Sequence, residues 1–175
     1  MPEFEFRCLN ENDESAYRNF ISEFTRAGEK IIPRSIYDEN LSFRTWLERS
    51  RGISSGKSIP DNWVQAATYF LIRKSNGKIL GALDLRHKLN EELLRHGGHI
   101  GYGVAPSERK KGYASLMLQK ALKICKDLDI NKALITCDKE NIGSAKTIMK
   151  HGGVLENEIV DELGRHRQRY WIEIK

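Results

Sequence analysis

The chain has 175 residues and a formal net charge of +5, with 39% hydrophobic and 30% charged residues. That length suits a single domain spanning 1–175, and the balance is that of a soluble globular fold rather than a disordered or fibrous chain. No apolar run approaches the ~20 residues of a membrane span, the acidic N-terminus lacks a signal-peptide pattern, and the mild charge fits a small anionic ligand without requiring nucleic acid or a membrane. Three widely spaced cysteines (Cys8, Cys125, Cys137) form neither a C-x-x-C motif nor a disulfide framework, so a cytoplasmic location is expected.

In chain order, Phe4 to Leu9 alternates and predicts a first strand. Asp13 to Gly28 predicts a helix with Tyr17, Phe20, Ile21 and Phe24 on one face, and Asn40 to Ser50 a second with Phe43, Trp46 and Leu47. Gly52 to Pro60 reads as a loop. Ala66 to Arg73 and Lys78 to Arg86 predict strands joined at Asn76-Gly77, the strongest short hairpin signal. Leu89 to His96 predicts a short helix or turn, and His99 to Val104 the next strand. Gly112 to Asp129 predicts a helix, Lys132 to Cys137 a strand buried on both faces, and Asn141 to His151 a helix stopped by Gly152-Gly153. Val154 to Val160 and Arg165 to Ile174 close the chain as a hairpin around Leu163-Gly164. Antiparallel strands come first and a βαβα unit follows: an α/β (α+β) class.

The stretch from His99 to Ala114 carries the chemistry. A short strand leads through Pro106 into a basic, glycine-containing loop, and a helix opens directly after it. Loop amides and the free N–H groups of the helix start converge where the macrodipole is positive, which makes an anion site. Pro106 stands where the third glycine of a dinucleotide-binding G-x-G-x-x-G would fall, and no G-x-x-x-x-G-K-[ST] is present. The pattern V-x-P-x-x-[RQ]-x-x-G-[YI]-[GA] is matched at Val104, Pro106, Arg109, Gly112, Tyr113 and Ala114. An Arg-Lys-Lys run by itself is ordinarily a solvated surface, and Asn141 by itself an ordinary helix cap.

With this loop, the sequence resembles the GNAT-type N-acetyltransferases, whose signature binds the pyrophosphate of acetyl-CoA. Asn141-Ile-Gly-Ser144, running on to His151-Gly152, is similar to the family's segment after its fifth strand. Ile100-Gly-Tyr-Gly-Val104 is similar to the branch that acetylates ribosomal-protein N-termini, and the stretch from Leu85 through Gly97-Gly98-His99 looks closer to uncharacterised bacterial members. The resemblance implies one mixed, mostly antiparallel sheet of six to seven strands with about four helices, splayed at a central parallel pair. It implies acetyl-CoA as cosubstrate, no metal, and a primary amine as acceptor. The implied cofactor contacts are Gly103, Val104, Arg109, Lys110, Lys111, Gly112, Tyr113, Ala114, Ser115, Asn141 and Ser144. Exposed strand edges and the C-terminal hairpin make a homodimer a further expectation.

Acetyl transfer to an amine needs a base for the amine's proton, a donor for the tetrahedral oxyanion and a proton for the thiolate. In the family, a backbone N–H near Val104 supplies the oxyanion donor and a tyrosine on the helix after the asparagine is a frequent acid. Here Ile148 or Met149 stands at the matching place. His99 is a candidate base, by its unperturbed pKa, and Tyr102 can orient substrate or donate to sulfur. Both also fit plain structural roles. Three apart, they face opposite sides of a regular strand unless a bulge intervenes. Asp84, Arg86 and His87 end the preceding strand and could line an acceptor pocket, although a solvated loop explains them too. Direct transfer, the family norm, leaves no covalent role for Cys137. A CoA-binding module without turnover is the alternative reading.

Overall fold

The computed structural model describes residues 3–175. Seven strands form one sheet: β1 (Phe4–Arg7), β2 (Ala66–Arg73), β3 (Lys78–Arg86), β4 (Ile100–Val104), β5 (Lys132–Asp138), β6 (Val154–Val160) and β7 (His166–Glu173). Their spatial order is β1-β2-β3-β4-β5-β7-β6. Every neighbouring pair is antiparallel except β4 and β5, which run parallel and meet at Ile100↔Ile135 only.

Four helices cover the sheet: α1 (Glu14–Arg26), α2 (Phe43–Ser54), α3 (Tyr113–Asp127) and α4 (Ile142–Lys150). The apolar stripe of α1 (Tyr17, Phe20, Ile21, Phe24) packs with Phe43, Trp46 and Leu47 of α2 on one face of β2 and β3, through Phe70, Ile72, Ile79 and Ala82. The opposite face is filled by Met117, Leu118, Ala121 and Cys125 of α3 and Ala145 and Ile148 of α4, against Leu83, Leu85, Ile100, Ala133 and Ile135. Burial of these two stripes is what fixes helices on both sides of the sheet.

The expected strand-and-helix order holds, with shifted ends. β1 stops at Arg7, where Asn10 and Asp13 close a capping box ahead of α1. α2 starts at Phe43, with Ser42 capping the Thr45 N–H, and runs on through Gly52 because Ile53 is buried against the core. The loop expected from Gly52 is therefore helical at its start. The short helix expected over Leu89 to His96 is a π-helical turn at Leu93–Gly97. Among the described residues no helix is long and apolar enough to cross a membrane.

Candidate active site at the splayed strand pair

β4 is the hinge of the site. It pairs with β3 in unbroken register from Leu85↔Ile100 to Gly81↔Val104, and Ala105 N–H continues the ladder onto Leu80 at 2.9 Å. Backbone groups alternate along a strand. Gly101 and Gly103 therefore face β3, whereas the N–H and C=O of Tyr102 and Val104 point to the β5 side. No β5 residue pairs with them, since contact ends at Ile100. The Val104 carbonyl accepts from Arg109 Nε at 3.4 Å, and a gap bordered by the Tyr102 and Val104 N–H groups thus opens between two parallel strands. Gly103, expected at the cofactor, turns its polar groups to β3 instead. Its missing side chain makes room for the Ile32 carbonyl in the α1–α2 segment.

The loop at the end of β4 leads to the start of α3. Lys110 (φ 62°) and Gly112 (φ 85°) are both left-handed, a conformation for which glycine has no steric cost. Gly112 is the N-cap of α3 and supplies no side-chain hydrogen bond. Ser42 and Asn141 do cap α2 and α4. The N–H groups of Tyr113, Ala114 and Ser115 are thus left for an outside anion, at the positive end of a 15-residue helix.

The basic side chains of the loop are differently employed. Arg109 forks onto Glu29 (Nη1–Oε1 2.9 Å), and Lys111 reaches Glu108 Oε2 at 2.9 Å. Glu108 is 5% exposed and also takes Arg73 at 2.9 Å and Lys78 at 3.0 Å. Burial pushes its pKa up, but the hydrogen bonds from Lys111, Lys78 and Arg73 outweigh this and hold it at about 2. Glu108 is an anchor for the loop that motif reading passed over. The Tyr113 hydroxyl accepts from Arg73 (3.3 Å) and its ring packs edge-on against Phe4, so only its backbone faces the ligand side. Among the described residues Lys110 has no ion-pair partner and is the free cation of the run. Ser115 Oγ is bonded to His151 Nε2 at 2.7 Å.

α4 walls the gap from the other side. Asn141 Oδ1 accepts the Ser144 N–H at 3.1 Å, and Ser144 Oγ meets the Tyr102 hydroxyl at 2.9 Å. Burial pushes the Tyr102 phenol up to about 12, so it is a protonated donor at neutral pH. Cys137, buried at the end of β5, has its thiol pushed up by burial and is held as a thiol. Ile148 is fully buried and Met149 is exposed, so neither reaches into the gap with a polar atom.

His99 and Tyr102 lie on opposite faces, since no bulge interrupts β4. The Leu134 N–H donates to His99 Nδ1 at 3.0 Å, while the His99 N–H donates to the Leu134 carbonyl at 2.7 Å. The ring thus takes the place of a strand partner where β4 and β5 begin to separate. With Nδ1 accepting, a neutral ring carries its proton on Nε2 and has no lone pair left for a base. Burial, aided by the Arg86 charge, pushes its pKa down to about 4. The candidate base thus holds β4 to β5, which is the plain structural role it also fits.

On the face of His99, not Tyr102, a cavity of about 600 Å³ opens over β2 and β3. Its floor is Ala66, Thr68, Asp84 and Arg86; its walls are α2 with Trp46 and Arg49, the Arg34–Asn40 segment, and the strands of coil carrying Trp63 and Asn90. Trp46 Nε1 donates to the Ser35 carbonyl at 2.9 Å and the Tyr17 hydroxyl to that of Ile36 at 2.7 Å, which fixes the second wall. Arg49 bridges Asp38 (3.4 Å) and the Trp63 ring (5.0 Å) across the mouth. Asp84 and Arg86, expected as pocket lining, are brought together here, whereas His87 does not line it.

Comparison with known proteins agrees with this geometry. A family model described as an acetyltransferase (GNAT) domain matches residues 4–154. No curated protein sequence matches the chain. Solved structures do. A ribosomal-protein-S5-alanine acetyltransferase from Vibrio fischeri is similar with a TM-score of 0.74 at 15% identity, covering 100% of this chain and 95% of that one. A ribosomal L7/L12 alpha-N-protein acetyltransferase in complex with coenzyme A gives 0.73 at 16% identity, covering 99% and 96%. A dodecameric spermidine N-acetyltransferase from Vibrio cholerae gives 0.67 at 18% identity, covering 98% and 94%. At these identities the likeness is one of fold, but the family match spans most of the sequence, and the chain belongs to the GNAT acetyltransferase family.

Proposed function

We propose that the chain transfers an acetyl group from acetyl-CoA to a primary amine by direct attack in a ternary complex. One observation carries the reading: an uncapped helix N-terminus stands at the end of the strand whose Tyr102 and Val104 find no partner on β5. The first feature suits a pyrophosphate, and the second an extended amide-bearing arm. In this reading the N–H groups of residues 113–115 and the Lys110 charge hold the pyrophosphate. Asn141 and Ser144 border the arm, and the free N–H groups of Tyr102 and Val104 are the candidate oxyanion donors.

Tyr102 takes the acid role that the helix tyrosine plays elsewhere in the family. Its hydroxyl reaches the α4 side of the gap from the opposite wall, protonated and oriented by Ser144. A thiol near pKa 8.5 is a fair leaving group, so a weak donor suffices. The acceptor enters from the other face, through the cavity over β2 and β3. Free thiols at Cys8, Cys125 and Cys137 fit a reducing cytoplasm. Edge strand β6 exposes Val154, Leu155 and Val160, which favours self-association.

A second reading, a CoA-binding module without turnover, is favoured by Ile148 and Met149 at the helix-tyrosine place. Two measurements decide. Calorimetric titration with acetyl-CoA should give binding in the micromolar range, and its absence at about 1 mM ligand sinks both readings. Thiol release with spermidine, 2-phenylethylamine and an N-terminal-alanine peptide separates the two readings: turnover on any of them supports the enzyme, and binding without turnover supports the module.

A further inference from the structure

We propose that Asp84 binds the acceptor as a cationic amine on the cavity floor and takes its proton, so that the substrates of this chain are ammonium-bearing molecules small enough to enter that cavity. The proposal rests on the acetyltransferase reading above and names the acceptor side of the same site.

Asp84 is a carboxylate 4% exposed at the base of a cavity, which is a costly arrangement unless it is partnered or used. Its place follows from the strand register. Thr68, Asp84 and Gly101 lie directly opposite one another across β2, β3 and β4, all on the face away from α3. Thr68 Oγ1 donates to Asp84 Oδ1 at 3.2 Å, and Arg86 Nε meets Oδ2 at 3.0 Å. Two partners leave lone pairs free on a carboxylate, which has about four acceptor sites. Arg86 in turn lies over Gly101 and donates to the Gly97 and Gly98 carbonyls at 3.3 Å each, tying the carboxylate to the start of β4. Directly opposed residues of an antiparallel hydrogen-bonded pair have Cα atoms about 5.5 Å apart, so Asp84 stands one strand from the gap.

Two further features point to a cationic guest. Ser35 Oγ is buried at the cavity wall and faces Asp84; with its hydroxyl proton turned to that carboxylate, its lone pairs are left to accept a ligand N–H. The charges lining the cavity are acidic on balance: Asp38, Glu39, Asp84 and Glu92 against Arg34, Arg49 and Arg86, in a chain whose formal charge is +5. The volume of about 600 Å³ lies within the usual range for small-molecule sites. Burial pushes the Asp84 carboxyl up; Arg86, Thr68 and Ser35 are the groups that face it and pull it back down.

The proton accounting closes. The ammonium gives one proton to Asp84, which passes it to solvent. The freed lone pair attacks the thioester carbon, forming C–N. On collapse C–S breaks, Tyr102 protonates the departing thiolate, and the second nitrogen proton restores the phenol. The net products are an amide, a thiol and one released proton.

The test is Asp84→Asn, with Asp84→Glu as the conservative partner. With whichever of spermidine, 2-phenylethylamine or the alanine peptide turns over, Asp84→Asn should lower kcat/KM by about 100-fold or more. The acidic limb of its pH profile should vanish, Asp84→Glu should regain part of the rate, and acetyl-CoA affinity should stay within about twofold. In parallel, the carboxyl ¹³C resonance of Asp84 in CoA-saturated wild type should move on addition of one of these amines at about 10 mM, a readout that needs no turnover. A kcat/KM for Asp84→Asn within about threefold of wild type, or a resonance unmoved by all three amines, overturns the proposal. Loss of acetyl-CoA binding by the wild type itself overturns the parent reading instead.

Discussion

In the function proposed, the two faces of the sheet solve the same problem, binding a charged substrate, by opposite means. On the α3 side the ligand-facing groups are backbone: a helix start without a side-chain cap and a strand edge without a partner. Two of the three side-chain charges of the loop are spent on the protein itself, Arg109 on Glu29 and Lys111 on Glu108, which leaves Lys110. On the α1–α2 side the groups are side chains, assembled from two strands, a helix and three stretches of coil around Asp84. Backbone sites depend on local conformation and are carried by a short motif. Side-chain sites depend on tertiary assembly and vary freely.

That contrast is broken or sharpened by substitutions on each side. Gly112→Val should have the largest effect. A β-branched residue at φ 85° is strained and stands beside the free amides, so acetyl-CoA affinity should fall by about 100-fold or more while the fold survives, measured by titration and by Tm. Glu108→Gln should act through stability. It removes the shared anion of three cations, and denaturant unfolding should show a loss of about 2–3 kcal/mol. The sign with pH follows: a carboxyl held at about 2 contributes stability that is complete above its ordinary pKa and is lost as pH falls toward 2.

Tyr102→Phe should be milder. It should lower kcat by about tenfold with acetyl-CoA affinity unchanged, because the leaving thiolate needs little help. Smallest is His99→Gln, whose amide oxygen can still accept the Leu134 N–H. Its kcat should stay within about threefold of wild type. The acid response should change more. Wild-type His99, held down at about 4, contributes stability that is present above about pH 6.5 and lost as pH falls through 4. The variant should lose less stability over that window, and a large drop in kcat instead would restore His99 as a base.

The legible part of the molecule was the part written locally. Strand and helix order followed from periodicity, Asn76-Gly77 and Asn141. The left-handed loop and the uncapped start of α3 followed from Val104 to Ala114, because a few residues dictate that backbone conformation. The acceptor side was not legible. Asp84 stood out as a strand-end acid, but nothing in its neighbours announces Thr68. Counting on from the Arg73↔Lys78 pair would misplace that partner, since the bulge between Leu71 and Ile72 shifts the register so that Thr68, not Ala67, meets Asp84. Ser35, Arg49 and Trp63 reach the cavity only through the packing of α2 and the Arg34–Asn40 segment. The surroundings of His99, a candidate base that also fitted a plain structural role, were hidden for a related reason. Its chemistry is set by one peptide unit of β5, 35 positions away in sequence.

The two-faced arrangement has a direct kinetic consequence. In the direct transfer proposed, both substrates are bound at once, with no acyl group parked on Cys137. Initial rates of thiol release, measured over a grid of acetyl-CoA and amine concentrations, should give intersecting double-reciprocal lines, and Cys137→Ala should leave the pattern intact. Parallel lines, abolished in Cys137→Ala, would contradict direct transfer across the gap between β4 and β5.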